Sequence, residues 1–373
     1  MHKSQIFNSS TNDHIRNRLT HTMEVYQIAR GISKALSLND CLVESIALGH
    51  DLGHTPFGHV GERTLHNILM GHTSRELVDC CIHEGFKHNY QGLELIDIID
   101  NGKLNYVGLN LSLAVRDGIL KHTGNFIRLK DNSREKVIYS SLNLSDIDIN
   151  KPAITTEGQV VAIADEIAQC THDLEDGLRQ EIIRKEDLLS LGIVKKVLDN
   201  HPEISPTKWR STNDIRMSLL YCMIGLFISD VCKTTLMRLD SQSPSPQYLD
   251  MHTCMQDQVV AFSSEISKWK DELDSEKTRL ILNSQKISIS DSKAEYIIEQ
   301  IFKAYYNHPL QLPDYILERY CRRRGLAYNR SKIDEGELKA DHQFIRQVSD
   351  HIACMTDQYA EREYQKLYMP CFY

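Results

Sequence analysis

Residues 50–62 read HDLGHTPFGHVGE, thirteen positions that hold three histidines, three glycines, one proline and two carboxylates. What precedes them is helical in pattern: Val25, Ile28, Ala29, Ile32 and Leu36 fall on one stripe, and Leu42, Val43, Ile46 and Ala47 on another. An amphipathic helix therefore ends on imidazole and glycine. Gly53, Gly58 and Gly61 permit tight turns and close backbone approach, and Pro56 stiffens the segment. A loop of that kind can carry His54, His59 and Glu62 back towards His50 and Asp51. If GERTLHNIL opens a helix, His59 and Glu62 share one face. A carboxylate beside an imidazole fixes its tautomer and raises its basicity, which suits His59 to proton transfer beside a phosphate. The plainer alternative makes Glu62 a cap for the next helix.

Outward from this stretch the helical period continues, and no convincing set of alternating strands is found. SLND at 37–40 supplies a turn and a capping aspartate before CLVESIALGHD. GERTLHNILM, SRELVDCCIHEGF, NYQGLELIDII, LNLSLAVRDGILKH and the long QVVAIADEIAQCTHDLEDGL repeat the pattern, so the fold class is all-α. Stretches 142–158, 240–248 and 284–291 read as loops, being rich in Ser, Asp and Pro. A break near 185–200 separates a motif-bearing region, 1–190, from a plainer helical region, 191–373, though one continuous domain is an equal reading.

Bulk properties set the outer bounds. The 373 residues suffice for one large domain or two ordinary ones, and 41% hydrophobic with 25% charged residues is the balance of a soluble globular protein. A formal net charge of −8 gives no general recommendation of a polyanion partner, so any nucleotide site must be locally basic. The ten cysteines form no CxxC pair and no framework spacing, which points to free thiols in a reducing cytoplasm. MHKSQIFNSS lacks the apolar core of a signal peptide. The longest apolar run, LLYCMIGLFI, is half the roughly 20 residues a membrane helix needs, so no membrane partner is expected.

Four residues carry the chemistry by type and context: His21, His50, Asp51 and Asp165. Asp165 sits among Ile163, Ala164, Ile167 and Ala168, where a carboxylate is costly to desolvate unless paired or bound to a cation. Two imidazoles and two carboxylates suit a borderline or hard divalent ion such as Mn, Fe, Zn, Ni or Mg and leave coordination positions open. The competing reading makes Asp165 a salt-bridge partner and the HD dipeptide a coincidence. Asp165, Gln169 and Asp173 are spaced by four and form one polar row, with His172 close to the same face. GFKHNYQG puts His88 and Asn89 in a short polar break that could form a pocket wall.

RNRLTHTMEV, IALGHDLGHTPFGHVGE, FKHNYQGL, GLNLS, IADEIAQCTHDLEDGL and DHIACMTDQYAEREYQKLY together resemble the HD-domain deoxynucleoside triphosphate triphosphohydrolases, the dGTPase-like family. The matches run in one order from about residue 3 to residue 368. The resemblance implies an all-α HD fold with additional C-terminal helices. It implies one divalent metal ion (Mn, Mg, Fe, Zn, Ni or Co) on His21, His50, Asp51 and Asp165. His59 and Glu62 fall on the catalytic histidine and acid, and Arg18 on a phosphate-contacting arginine. His88 falls on a histidine reaching the triphosphate, Gln5 near sugar and base, and Asp173 on an acid binding the 3′-hydroxyl. The implied reaction is water attack at the α-phosphorus of a dNTP, giving deoxynucleoside and inorganic tripolyphosphate. The resemblance also implies a homo-oligomer, with a nucleotide effector or single-stranded nucleic acid as possible further partners. Charge logic agrees, because a triphosphate needs cations beyond one metal and Arg18, His59 and His88 can supply them.

Three departures bear on substrate choice. Gln169 stands where the family usually has a tyrosine against the sugar, and an amide hydrogen-bonds but does not stack, so a ribonucleotide or a nucleoside monophosphate is the alternative substrate. Glu94 stands where an arginine is common, which would remove a positive charge from the pocket. The Arg-rich segment usually found ahead of a TQVF-like string is missing, since SQIF begins at residue 4, as expected of a shortened chain or a late start. RYCRRRG at 319–325 reads as a solvated helix end or as a phosphate or nucleic-acid contact. Arg346 reads as the partner of an acid. A third function class is a nucleotide-sensing or nucleic-acid-binding protein whose catalysis has lapsed.

Overall fold

The computed structural model describes residues 3, 18–73, 75–99, 108–128, 133–242 and 257–370. Gln5 and most of the expected loop 240–248 lie outside them. The first helices follow the apolar stripes. α1 (Arg18–Ala35) buries Val25, Ile28, Ala29 and Ile32, and α2 (Asp40–Gly49) buries Val43, Ile46 and Ala47. The cap of α2 is Asn39 rather than the expected Asp40: Asn39 has the extended backbone a cap requires, and its side chain accepts from the Leu42 amide. Asp40 instead accepts from Ser33 Oγ at 2.8 Å.

The chain continues through α3 (His59–Met70), α4 (His88–Glu94), α5 (Leu113–Lys121) and α6 (Thr156–Arg179). Between α5 and α6 lies one antiparallel hairpin, β1 (Phe126–Arg128) with β2 (Arg134–Lys136), which the absence of a longer alternating pattern did not reveal. SRELVDCCIHEGF, which reads as helical, yields only the 3-10 turn Arg75–Cys80. Then come α7 (Lys185–Ser190), α8 (Gly192–Asn200), α9 (Thr212–Ile215), α10 (Tyr221–Gln242), α11 (Ser264–Lys277) and α12 (Gln285–Asn307). The last are α13 (Asp314–Arg323), α14 (Glu335–Ala340), α15 (His342–Ala353) and α16 (Asp357–Tyr368). Among the described residues the fold is all-α apart from the hairpin.

Two readings of the sequence are corrected. The expected loop 284–291 is the first two turns of α12. Ser284 caps it by accepting from the Ile287 amide, and Ile287 buries its side chain while the serines face outward. The second concerns helix length. α9, the wide turn Arg216–Leu220 and α10 run on without a break, giving one helical stretch, Thr212–Ser241, long and apolar enough to cross a membrane. Its Leu219, Leu220, Met223, Phe227 and Val231 are buried in the protein core.

The apolar interior falls into two clusters. One gathers α1, α2, α5, α6, α8 and α10. The other gathers Phe57 and α3 with α12, α13, α15 and α16. The HDLGHTPFGHVGE segment leaves α2 in the first cluster and enters α3 in the second. It is therefore gripped by both.

Candidate metal centre and active site

The glycines of the opening stretch are required by contact. A Cβ on Gly53 would lie 2.0 Å from the His88 carbonyl oxygen and 2.2 Å from the Gly92 nitrogen, so only glycine lets the loop lie against α4. That approach stacks the His54 ring on His88, with centroids 3.7 Å apart. Gly61 faces the Pro56 carbonyl, where a Cβ would fall at 2.1 Å. His59 thereby starts α3 with its side chain beside the same loop.

His21 from α1, His50 and Asp51 after α2, and Asp165 from α6 converge. His21 Nε2 lies 2.9 Å from Asp165 Oδ1 and 3.8 Å from Asp51 Oδ2. His50 Nε2 lies 3.6 Å from Asp51 Oδ1 and 3.8 Å from Asp165 Oδ1. His50 Nδ1 donates to the Ala47 carbonyl at 2.6 Å, which leaves its Nε2 lone pair facing the carboxylates. That Nε2 is buried and has no hydrogen-bond partner. A buried lone pair between two carboxylates is a donor set for a divalent cation, and the residues fit one.

The electrostatics of the set run the same way. Burial opposes ionisation of Asp51, but His54, His50 and Arg18 hold its carboxyl well below the usual range. Asp165 is likewise lowered, burial being outweighed first by its hydrogen bond from His21 and then by the neighbouring His50. Burial works against protonation of His21, yet Asp165 holds it above its ordinary value. Both carboxylates are thus ready as anionic donors.

Beside this set lies a second group. His59 Nδ1 is 3.1 Å from Glu62 Oε2, and His59 is half exposed. Glu62 Oε1 accepts from the His88 amide at 2.9 Å and from His88 Nδ1 at 2.8 Å. Burial would raise the Glu62 carboxyl, but His88 and Lys87 hold it well below its ordinary range. Burial pushes His88 down, and His54 well down, with Arg18 adding to the effect. Arg18 Nη1 donates to Asp51 Oδ2 at 2.7 Å. Arg18, His21, Asp51, His54, His59, His88, Asp165 and Gln169 line one cavity of about 80 Å³.

Asp165, Gln169 and Thr123 also line a neighbouring cleft of about 580 Å³, together with Asn89, His122 and Glu166. Asn89 donates to the Leu120 carbonyl at 2.6 Å, and its own Oδ1 is buried without a partner. The expected row on α6 divides. Asp165 and Gln169 face the cavity, while Asp173 is engaged by Lys277 of α11 at 3.1 Å and lines neither space.

Glu94 is not a pocket residue. It is fully buried, accepts from Ser141 Oγ at 2.7 Å and pairs with Arg323 at 3.0 Å. In the RYCRRRG segment Arg322 pairs with Glu318 and Arg324 with Asp341. Arg346 donates to Glu84 at 2.7 Å and lies over the Tyr139 ring.

One histidine escaped sequence reasoning, and a second was read without its partner. His122, at the end of α5, places Nε2 3.2 Å from His88 Nε2. Burial, with His50 and His88 adding to it, pushes its pKa down to about 3. GILKHTG offers no partner within helical reach, so nothing local marked it. His172 sits behind His21, Nδ1 to Nδ1 at 3.3 Å, with its Nε2 2.5 Å from Glu24. The sequence places it close to the face of the Asp165 row, but its partner His21 is 151 positions away.

The fold and the clustered imidazoles and carboxylates define an HD-domain phosphohydrolase architecture: the HD domain family matches residues 18–169, and the phosphohydrolase-associated domain matches residues 260–366. The similarity extends over nearly the whole chain. A deoxyguanosinetriphosphate triphosphohydrolase-like protein of Bartonella tribocorum is 30% identical, covering 98% of this chain and 84% of its own. Like-named proteins of Bordetella pertussis and Pelagibacter ubique are 32% and 31% identical, covering 98% and 96% of this chain and 85% and 86% of theirs. This chain belongs to the deoxyguanosinetriphosphate triphosphohydrolase-like family.

Proposed function

We propose that this protein hydrolyses deoxynucleoside triphosphates, dGTP among them, to deoxynucleoside and inorganic tripolyphosphate. One divalent ion on His21, His50, Asp51 and Asp165 would serve the reaction. The observation that carries the reading is that Arg18, His59 and His88 line the same cavity as His21, Asp51 and Asp165, with Glu62 bonded to both His59 and His88. A cation held by the four ligands supplies Lewis acidity to water and to a phosphoryl oxygen. The remaining work falls to side chains. Glu62 accepts a hydrogen bond from His59 Nδ1 and so turns Nε2 to the cavity; the imidazolium would give its Nε2 proton to the departing 5′-oxygen and regain one from the attacking water. Arg18 lies where it can hold phosphate oxygens, the family resemblance adds His88 at the triphosphate, and Gln169 and the unpartnered oxygen of Asn89 can hydrogen-bond the nucleoside. Asp173 would reach a 3′-hydroxyl only on leaving Lys277. Gln5 keeps its proposed place near sugar and base from the family resemblance alone.

Incubation with each dNTP and Mn, Mg or Co, with products resolved by ion exchange, tests the reading. Tripolyphosphate is expected. Its absence with every pairing, and with other nucleotides added as effectors, would overturn it. Gln169 in the cavity supports a second reading, a ribonucleotide substrate, and a strong preference for GTP over dGTP at equal concentration would establish that instead. The same family reading makes the protein a cytoplasmic homo-oligomer, with a nucleotide effector or single-stranded nucleic acid as further partners and residues 1–190 and 191–373 as catalytic core and helical support. Light scattering with and without nucleotide tests the assembly.

A further inference from the structure

We propose that the cavity on the far side of His172 is an effector site for a small zwitterion with an apolar body, the chemistry of an apolar α-amino acid, and that His172 couples it to the metal ligands. The cavity holds about 280 Å³ between α1, α6 and the helical stretch that α9 opens. Ligand pockets run from about 300 to 1,000 Å³, so this one suits a molecule smaller than a nucleotide. Ile28, Leu220, Ile224 and Ile228 line it, and the half-exposed Tyr221 joins them. These walls favour an apolar body that displaces water from them.

The charges of the lining are opposite and come from different elements. The turn between α9 and α10 brings Arg216. The helix widens there, with the Tyr221 amide bonding back to the Arg216 carbonyl, a geometry frequent at functional sites. Arg216 Nε stands 3.4 Å from Glu175, whose carboxylate already accepts from Arg179 at 2.7 Å. Two guanidinium groups share one carboxylate, so this end is positive on balance. α1 brings Glu24, a carboxylate, to the same cavity. A ligand carboxylate would meet the Arg216 fork and its ammonium would meet Glu24. A plain cation or a plain anion would satisfy one end only.

Glu24 also begins a chain of contacts that ends at the metal centre. It lies 2.5 Å from His172 Nε2 and takes the hydrogen there, so His172 Nδ1 offers a lone pair. His21 Nδ1, 3.3 Å away, supplies the matching hydrogen, which leaves His21 Nε2 for the cation. A ligand ammonium that draws Glu24 away from His172 loosens this chain, and outer partners of this kind are worth roughly 10–100-fold in metal affinity. The coupling rests on the metal assignment above. The binding of the zwitterion does not.

Calorimetric titration of the full chain, first without metal, tests the site with L-leucine and with 3-methylbutylamine and 4-methylpentanoate, which each lack one of its charges. L-Leucine should bind about ten-fold tighter than either, since each omission forfeits a charge-assisted hydrogen bond. Ile224→Trp, which fills the cavity, and Arg216→Gln should remove leucine binding and leave Mn affinity unchanged. In wild type, saturating leucine should weaken Mn binding by about ten-fold, and Mn should weaken leucine binding by the same factor. No leucine binding overturns the site. Leucine binding unchanged in both variants overturns it too, by placing the ligand elsewhere. An amine or acid that binds as tightly as leucine overturns the zwitterion class. Mn affinity indifferent to bound leucine overturns the coupling, whereas a chain that binds leucine and no Mn upholds the site and sinks the metal centre. If Ile224→Trp fails to fold by circular dichroism, Arg216→Gln decides.

Discussion

The backbone N–H of Phe57 donates to the carboxylate of Asp357, 300 residues further along the chain, at 2.8 Å. Phe57 has a φ of 60°, a conformation that costs a bulky side chain free energy. The Lys3 ammonium ties the same loop to the same region by donating to the carbonyls of His54 and Ala353. The C-terminal helices thus fix the backbone that carries His54 and His59. Losing a hydrogen bond to a charged acceptor is worth about 1.5–3 kcal/mol. Asp357→Ala should lower the melting temperature and reduce kcat, while Asp357→Asn, which keeps an acceptor oxygen, should recover most of both. An Ala variant with unchanged kcat would show that the loop holds its shape unaided.

Glu94 and Arg323 form a second tie between the two ends of the chain. Glu94 is fully buried and Arg323 lies 3.0 Å away. Removing one partner of a buried pair leaves an uncompensated charge and costs about 3 kcal/mol or more. Arg323→Leu should therefore destabilise the protein by about that amount in urea unfolding, and adding Glu94→Gln should restore part of it. A double variant no more stable than the single would mean that Glu94 has another source of compensation.

His172 orients a ligand. Its Nδ1 faces His21 Nδ1 at 3.3 Å and its Nε2 faces Glu24, so the chain of contacts sets which His21 nitrogen points at Asp165. Outer partners of this kind are worth roughly 10–100-fold in metal affinity. His172→Ala should weaken Mn binding by about that factor with the fold retained. Equal affinity in a calorimetric titration would make His172 a packing residue.

His59→Gln should slow turnover by about 10²–10⁴-fold, the usual worth of a positioned proton-transfer group. Metal content should stay at the wild-type value, since His59 is not among the four proposed ligands. His54, His59 and His88 nevertheless lie close enough to share an ion. Loss of metal in the variant would therefore make His59 a ligand in that group.

The local pattern of the sequence was enough for the all-α class, for α1 to α3 and α6, and for the suspicion attached to His21, His50, Asp51 and Asp165. Helical period and capping are short-range effects, and a carboxylate among apolar neighbours is conspicuous in any sequence. The same pattern misread 284–291, because a serine-rich stretch can cap and coat a helix whose buried face shows only every few residues. It also placed Glu94 in the pocket, when its guanidinium partner lies 229 positions away. The contact of His122 with His88 exists only once α4 and α5 pack together. Periodicity and residue chemistry are written along the chain. Which nitrogen faces which, and which charge neutralises which, is settled by contacts between distant segments, since interactions of a few ångströms depend on separation in space.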